Sequence, residues 1–346
     1  MWPYWLMFLV PLIGVSGKVQ TGGQRVMWAI SIFMLVIIIG FRFEVGGDWG
    51  NYLRHFDNIL YLSFSEVIQR GDPAYYALNW IVADAGWSMV WVNAFCAILV
   101  VFGIHVFCRE QPLPWLALLV AVPYLIIVVS MGYSRQAAAL GLVLVGLTAL
   151  GKQDTRKFVF WVLLGALFHK SAVILLPIAG LSATRHRIWT LLWVASVSVM
   201  GAYLLVSDDV ASLWLNYVTD EYAFASQGAA IRVLMNTVPS VLLILFRKRI
   251  FYDDVERRLW LCMSLLSLLC IIGLSYSPTA IDRLALYFIP IQLFAFSRIP
   301  YLATDRSTFN VIIAGVVFYY ALVLFVWLNF ATHAFAWLPY KIYIFS

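Results

Sequence analysis

Hydrophobic and polar positions are arranged along this chain in long blocks. An α-helix of about 20 apolar residues crosses the hydrocarbon core of a bilayer. By that measure the blocks predict spanning helices near residues 2–17, 25–41, 87–108, 112–130, 134–150, 188–206, 232–247, 258–275, 281–298 and 308–331. Residues 157–184 contain two apolar halves separated by His169-Lys170, so a single long helix and a re-entrant pair are both open there. The expected fold is an all-α polytopic membrane protein with about ten to eleven transmembrane helices.

The loops between these blocks predict how the chain is oriented, because cytoplasmic loops are enriched in lysine and arginine. The basic loops contain Lys18 and Arg25, Lys152 to Lys157, Arg185 and Arg187, Arg247 to Arg258, and Arg298 and Arg306. The alternate loops then face outward: residues 42–86, 131–134, 207–231 and 276–281. This alternation holds if residues 157–184 return to the side from which they start, which favours the re-entrant pair.

Composition agrees with a membrane protein. Of 346 residues, 63% are hydrophobic and 12% are charged, whereas a soluble domain is about half apolar and about one quarter charged. The basic residues are scattered in short loops, which argues against a nucleic-acid-binding surface. No linker, repeat or low-complexity tract interrupts the chain, so we expect one membrane domain over residues 1–346.

The segment after the second predicted helix concentrates charge at the mouth of an apolar block. Arg42, Glu44 and Asp48 flank the pair Gly46-Gly47, and glycine permits the positive φ of a sharp turn. We expect that turn to aim Asp48 at Arg42, and residues 73–83 to form a short interfacial helix. A salt bridge that only pins the loop and a functional pair explain this stretch equally well.

Other cations stand at the predicted ends of apolar helices. They are Arg135, His169-Lys170, Arg232 and Arg283. A cation at the centre of a spanning helix costs about 2.5–3.5 kcal/mol, and less near its ends, where the side chain can reach the interface. Under the predicted orientation the arginines, Arg42 included, gather at the outer membrane face, where they repel one another unless an anion lies among them. Because guanidinium groups match phosphate oxygens, a phosphate or diphosphate is the expected ligand.

No metal or cofactor motif stands in the chain. The adjacent pairs Asp208-Asp209 and Asp253-Asp254 lie on loops and are read as solvated charge. The four cysteines form no C-x-x-C pair, so we expect buried apolar thiols. The sequence therefore predicts neither a metal site nor a cofactor.

Five short segments resemble motifs of one family, the EpsG-type members of the Wzy polysaccharide polymerases. In chain order they are "FRFEVGGDWGNY", "YSRQAAALGLVL", "LFHKSAVILLPI", "DRLALYF" and "WLPY", and they run from residue 41 to residue 340. By this resemblance the motif residues are Arg42, Asp48, Tyr52, Arg135, Gln136, His169, Ser171, Arg283, Tyr287 and Tyr340.

The resemblance implies a metal-independent glycosyltransferase of the bacterial inner membrane with a GT-C-like helical fold. Such enzymes join repeat units of O-antigen, capsule or exopolysaccharide on the periplasmic side. The implied partners are a glycan donor and a repeat-unit acceptor, both carried on undecaprenyl diphosphate, with a Wzz-like chain-length regulator as a further partner to expect.

The expected division of labour follows from the charge that develops when a sugar–diphosphate bond breaks. Arg135, Arg232 and Arg283 are expected to hold the donor diphosphate, and Asp48 or His169 to act as the general base. Arg42 is expected to orient Asp48 or to contact the acceptor. The predicted substrate-binding set also contains Tyr52, Gln136, Lys170, Ser171, Tyr287 and Tyr340.

Two other functions fit parts of the pattern. A lipid-linked oligosaccharide flippase also needs cations for a diphosphate, but flippases usually have two repeated helical halves with charges deep in a lumen. A membrane acyltransferase could use His169 as its base, but it needs an entrance for a cytoplasmic acyl donor, for which no motif is seen. The polymerase is therefore the favoured function.

Overall fold

The computed structural model describes residues 1–17, 21–183, 187–206, 228–251 and 253–345. All regular elements in these ranges are helical, and an isolated antiparallel bridge joins Arg42 to Ile342. The chain is therefore an all-α polytopic membrane protein, as the apolar blocks predicted. The predicted outer loop at 207–231 lies outside the described residues as far as position 227.

The helices of the first part of the chain follow the predicted blocks closely. They are α1 (Trp2–Val15), α2 (Thr21–Gly40), α3 (Trp49–Ile59), α4 (Phe64–Ile68), α5 (Pro73–Asp84), α6 (Met89–Arg109), α7 (Pro114–Ala121), α8 (Ser130–Gly132) and α9 (Ser134–Gly151). A π-helix, Val122–Val129, joins α7 to α8. The helix expected at 73–83 is confirmed as α5, whereas α3 was not predicted.

The second part contains shorter and more interrupted helices. They are α10 (Thr155–Phe168), α11 (Leu176–Ser182), α12 (Arg187–Val206), α13 (Ala229–Leu245), α14 (Arg247–Ile250), α15 (Asp254–Gly273), α16 (Pro278–Ala285), α17 (Pro290–Phe296) and α18 (Arg306–Phe330). Short 3₁₀-helices occupy Lys170–Leu175, Leu286–Phe288, Ile299–Leu302, Ala334–Ala336 and Tyr343–Phe345.

Five helices of the described chain are long and apolar enough to cross a membrane. They are Gly22–Gly40, Met89–Arg109, Pro114–Gly132, Ser134–Gly151 and Arg306–Phe330. The bent pair Pro278–Phe288 and Pro290–Leu302 gives a sixth if it forms one span, and four shorter apolar helices lie elsewhere in the described residues. The count of ten to eleven spans stays a prediction.

The region 157–184 is broken rather than continuous. Helix α10 ends at Phe168, His169 lies outside regular structure, and a 3₁₀-helix from Lys170 leads into α11. Pro177 stands in the first turn of α11, where its missing N–H costs no helical hydrogen bond. The alternative of one long helix is therefore wrong, and the two apolar halves are separate elements.

By its internal contacts the chain groups into two compact units. The first comprises Met1–Leu142, Leu167–His169 and Asn310–Ser346, and the second comprises Val143–Ala166 and Lys170–Phe309. The single membrane domain stays a prediction.

Close helix packing organises the first unit. A Cβ atom on Gly103 of α6 would lie 1.9 Å from the carbonyl oxygen of Gly141 in α9, and one on Gly40 would lie 2.8 Å from the Cα of Ala94. Small residues let helix backbones approach in this way inside membranes. In the second unit, α13 packs on α15 and α11 packs on α12.

Candidate active site

Asp72 is a buried carboxylate at the start of α5, and two cationic or basic side chains converge on one of its oxygens. Its Oδ2 accepts a hydrogen bond from Nη1 of Arg135 at 3.1 Å and lies 3.4 Å from Nδ1 of His169. All three residues belong to the first unit. A buried carboxylate is costly unless cations and hydrogen bonds compensate it, and Arg135 supplies that compensation here.

Local structure explains why these three side chains meet. Asp72 precedes Pro73, the first residue of α5, and Arg135 is the second residue of α9. His169 lies at the break after α10, where the chain leaves helical geometry. Each group thus stands at a helix end, where a side chain is not confined to a helix-packing face.

The three side chains differ in how much of their surface is exposed. Arg135 keeps 37% of its side-chain surface exposed and His169 keeps 25%, whereas Asp72 keeps 7%. Arg135 and His169 can therefore reach a ligand in this conformation. Asp72 faces its partners instead.

Aromatic rings line the site beside Arg135. Its guanidinium carbon lies 5.6 Å from the ring centre of Tyr75 and 5.9 Å from that of Tyr52. At these distances the rings make cation–π interactions with the guanidinium, which stabilise its position and leave its charge unneutralised. Tyr52, one of the predicted motif residues, thus contacts Arg135, a residue predicted to bind the diphosphate.

His55 lies behind this aromatic layer, with its ring stacked on Tyr75 and edge-on to Tyr76. Burial, followed by the nearby charge of Arg135, lowers the pKa of His55 to about 4. Its Nε2 is buried and has no hydrogen-bond partner in the described part of the chain. A neutral imidazole is therefore the stable form of His55 in the folded protein.

Arg42 occupies a different position from the one predicted. Only 1% of its surface is exposed. Its guanidinium donates to the carbonyl oxygens of Ile39 at 2.6 Å and Val45 at 3.1 Å. It also donates to Ser134 Oγ at 2.6 Å and to Asn93 Oδ1 at 3.0 Å.

The predicted pairing of Arg42 with Asp48 is wrong. Arg42 follows the end of α2, where the last carbonyl groups lack helical partners and accept hydrogen bonds from its guanidinium. Asp48 is half-buried and begins α3 as its N-cap residue without a side-chain capping bond. The predicted turn is present, because Gly46 has a φ of +108°.

Tyr340 is held by the first unit's own backbone. Its hydroxyl donates to the carbonyl of Ile38 at 2.8 Å, and its ring meets that of Tyr4 edge-on. The neighbouring backbone pairs with the segment after α2, since Phe43 N–H donates to Lys341 and Tyr343 N–H donates to Phe41. These contacts favour an anchoring role for Tyr340 over the predicted role in substrate binding.

The second unit contains its own polar cluster. Arg232, in α13, forms an ion pair with Asp282, whose residue surface is 5% exposed. Tyr287, which follows Asp282 in the chain, is fully buried, and its hydroxyl lies 2.9 Å from Ser171 Oγ. Arg283 is half-buried next to Asp282. Each of three residues predicted to bind substrate thus contacts a polar side chain: Arg232, Ser171 and Tyr287.

The predicted site residues divide between the units. Arg42, Asp48, Tyr52, Arg135, Gln136, His169 and Tyr340 belong to the first, and Lys170, Ser171, Arg232, Arg283 and Tyr287 belong to the second. The gathering of all the arginines around one diphosphate stays a prediction. Gln136 is 1% exposed.

Asp72 was not among the predicted site residues, because the sequence around it reads as the start of a helix. Asp72 and Pro73 form the start of α5, a common position for this pair of residues, so the sequence gives no reason to assign the carboxylate another role. Its partners, Arg135 and His169, are 63 and 97 residues away in the chain. The only available signal was the scarcity of charge in this protein. No group of three or more possible metal ligands occurs among the described residues.

The fold and the site define a multi-pass helical membrane protein with a partly exposed arginine and histidine fixed on a buried carboxylate. The model of the EpsG family matches residues 25–342, nearly the whole chain. The chain therefore belongs to the EpsG family, which indicates a polysaccharide polymerase-type function. Neither a curated protein nor a solved structure matches it significantly.

Proposed function

We propose that this protein polymerises oligosaccharide repeat units carried on undecaprenyl diphosphate into O-antigen, capsule or exopolysaccharide. The reaction takes place at the periplasmic face of the bacterial inner membrane, without a metal. Family membership supports the class of reaction. The observation that carries the proposal is Arg135, a half-exposed guanidinium held at the start of an apolar helix by a buried carboxylate.

The chemistry requires a cation at the leaving group. A sugar hydroxyl of the acceptor attacks the anomeric carbon of the donor, and the bond from that carbon to the diphosphate oxygen breaks. The electron pair remains on the lipid diphosphate, and a preorganised cation lowers the barrier by stabilising that charge. Arg135 is suited to this role because its planar donors match phosphate oxygens.

The other cations predicted from the sequence to bind a diphosphate belong to the second unit. Arg232, Arg283 and Lys170 are the candidates there, and Arg232 is oriented by its ion pair with Asp282. The acceptor hydroxyl needs a general base, for which the sequence offered Asp48 or His169.

The proposal is tested by replacing Arg135 with alanine in a host that lacks its own copy of the chain. We expect polymer to disappear while single lipid-linked repeat units accumulate. Arg54→Ala is the matched control, because Arg54 is an exposed cation on α3 whose guanidinium contacts Asn51. Long-chain polymer from Arg135→Ala at wild-type protein levels would overturn the assignment.

An assay with purified protein separates the polymerase from a flippase. Lipid-linked repeat units in detergent micelles have no second compartment to reach, so a transporter leaves them unchanged. The polymerase converts them into a ladder of longer glycans on a gel. Absence of that ladder, with intact protein and substrate, would reject the proposed activity.

A further inference from the structure

Asp72 has no part in the substrate contacts described so far, yet it is the centre of the site. Its side chain is 7% exposed, while both side chains that contact its Oδ2 remain open to a ligand. A buried charge that fixes two accessible groups acts through those groups. The function of Asp72 therefore lies in what it does to Arg135 and His169.

We propose that Asp72 is the positioning residue of this site, fixing Arg135 toward the donor diphosphate and orienting His169 as the general base. The inference rests on the proposed polymerase function and assigns the base that the sequence left open between Asp48 and His169.

The contact with Asp72 determines which nitrogen of His169 can accept a proton. An ionised carboxylate only accepts hydrogen bonds, so the distance of 3.4 Å between Asp72 Oδ2 and His169 Nδ1 favours the tautomer that carries its hydrogen on Nδ1. The lone pair then lies on Nε2, on the other side of the imidazole. With a quarter of its side chain exposed, His169 can present Nε2 to a sugar hydroxyl.

The same oxygen also fixes the cation for the leaving group. Arg135 Nη1 and His169 Nδ1 both lie within 3.4 Å of Asp72 Oδ2, so the two side chains are neighbours. Base and leaving-group cation are needed on the two substrates that meet in one transfer step. A shared carboxylate holds them at a fixed separation, and such preorganisation lowers the barrier to transfer.

Asp48 lacks comparable support. It is half-buried at the start of α3, and its carboxylate makes no hydrogen bond or ion pair with another described side chain. A general base has to be held within hydrogen-bond reach of the proton that it accepts. The geometry therefore favours His169.

The transfer step balances with these groups alone. The acceptor oxygen forms a bond to the anomeric carbon as its proton moves to His169 Nε2. The bond between that carbon and the diphosphate oxygen breaks, and the electron pair leaves with the lipid diphosphate beside Arg135. The imidazolium beside Asp72 then loses its proton to water.

The test uses the full-length protein in detergent and lipid-linked repeat units extracted from host cells that lack the chain. Polymerisation rates are measured against substrate concentration for wild type, Asp72→Asn, His169→Gln, the double variant and Asp48→Asn. Asp84→Asn is the matched control, since it makes the same change at the exposed last residue of α5. Binding of undecaprenyl diphosphate is measured separately on each preparation.

We expect Asp72→Asn to lower kcat by about 10²–10⁴-fold, the usual range for losing general-base catalysis. Binding of undecaprenyl diphosphate falls by a smaller factor than kcat, because Arg135 keeps its charge but is no longer fixed by the carboxylate. The double variant loses less kcat than the product of the two single losses, since groups that act as a unit are not additive. Asp48→Asn loses less kcat than His169→Gln, and Asp84→Asn matches wild type.

Several results would overturn the inference while leaving the polymerase function intact. They are a wild-type kcat in Asp72→Asn, losses that multiply in the double variant, and a loss of undecaprenyl diphosphate binding in Asp72→Asn as large as its loss of kcat. If Asp72→Asn does not fold, a larger loss in Asp48→Asn than in His169→Gln is the decisive contrary result. A wild-type protein that forms no ladder would instead reject the polymerase function and this inference together.

Discussion

Trp337 donates its indole N–H to the backbone carbonyl of Ile127, at a distance of 2.9 Å and 210 residues earlier in the chain. Ile127 lies within the π-helix Val122–Val129, and both residues are buried. The hydrogen bond ties the end of the chain to an irregular stretch of an otherwise apolar span. Trp337 also receives a hydrogen bond on its own carbonyl from Tyr4.

Replacing Trp337 with phenylalanine is therefore expected to destabilise the protein. The substitution keeps an aromatic ring but removes the buried hydrogen bond from the indole N–H to Ile127, which contributes about 0.5–1.5 kcal/mol. Thermal unfolding in detergent should show a lower midpoint. Trp87→Phe, at an exposed position, should leave the midpoint near that of wild type, and equal shifts in both variants would contradict the prediction.

Arg42→Lys tests whether Arg42 is structural. Lysine has a single donor group and cannot reproduce bonds to Ile39, Val45, Asn93 and Ser134. Each buried acceptor left without a donor costs about 1–3 kcal/mol. We expect a loss of monodisperse protein on size-exclusion chromatography, with Arg54→Lys as the exposed control. A variant that folds as well as wild type but polymerises poorly would point to acceptor contact instead.

Gly46→Ala tests the turn that follows α2. The φ of Gly46 is +108°, and a Cβ atom there would lie 2.1 Å from the carbonyl oxygen of Met131. The positive φ alone costs a residue with a side chain about 1–3 kcal/mol, and the contact with Met131 adds to that cost. Gly50→Ala is a sharp control, because a Cβ at Gly50 of α3 meets nothing within 4 Å. That change should stabilise the helix by up to about 1 kcal/mol, and the two variants should therefore shift the unfolding midpoint in opposite directions.

His55 should make stability depend on pH. Its pKa is lowered to about 4 in the folded protein by burial and by Arg135, whereas an unfolded histidine titrates near 6.5. Between these values the unfolded chain binds a proton that the folded chain does not, so stability falls as pH drops from about 6.5 to about 4. The contribution of His55 is complete above that window.

The measurement compares unfolding midpoints at pH 7 and pH 5 for wild type and His55→Gln. The other titrating groups are common to both proteins, so the wild-type midpoint should fall further. Equal falls would show that His55 does not carry this part of the pH dependence.

The regular helices were largely predictable, because long apolar blocks leave a bilayer-spanning helix as the stable arrangement. Helix α3 was missed because its segment was judged only as too polar to span. A closer signal was present: Tyr52, Phe56 and Ile59 are buried at helical spacing among polar neighbours. Such a stripe predicts an amphipathic helix.

The site was predictable in its cations but not in its carboxylate. Arginines at the ends of apolar helices stand out, because charge there is expensive. Asp72 joins the site only through Arg135 and His169, which are distant in the chain, and no local pattern reports such contacts. The pairing of Arg42 failed for a related reason, because hydrogen-bonding backbone carbonyls at the end of α2 have no signature in the order of residues.

The π-helix has a consequence for the segment that precedes α9. A π-helix has more residues per turn than an α-helix, so each residue of Val122–Val129 rotates the chain about the helix axis by a smaller angle. The residues after this stretch therefore face a different direction from the one that a continuous α-helix would give them. In this orientation Met131 lies against Gly46 and Gly132 lies against Trp337, just before α9 begins. Removing one residue from this apolar stretch would leave its hydropathy unchanged, yet it would turn Met131 and Gly132 by about 100° and break their packing on Gly46 and Trp337.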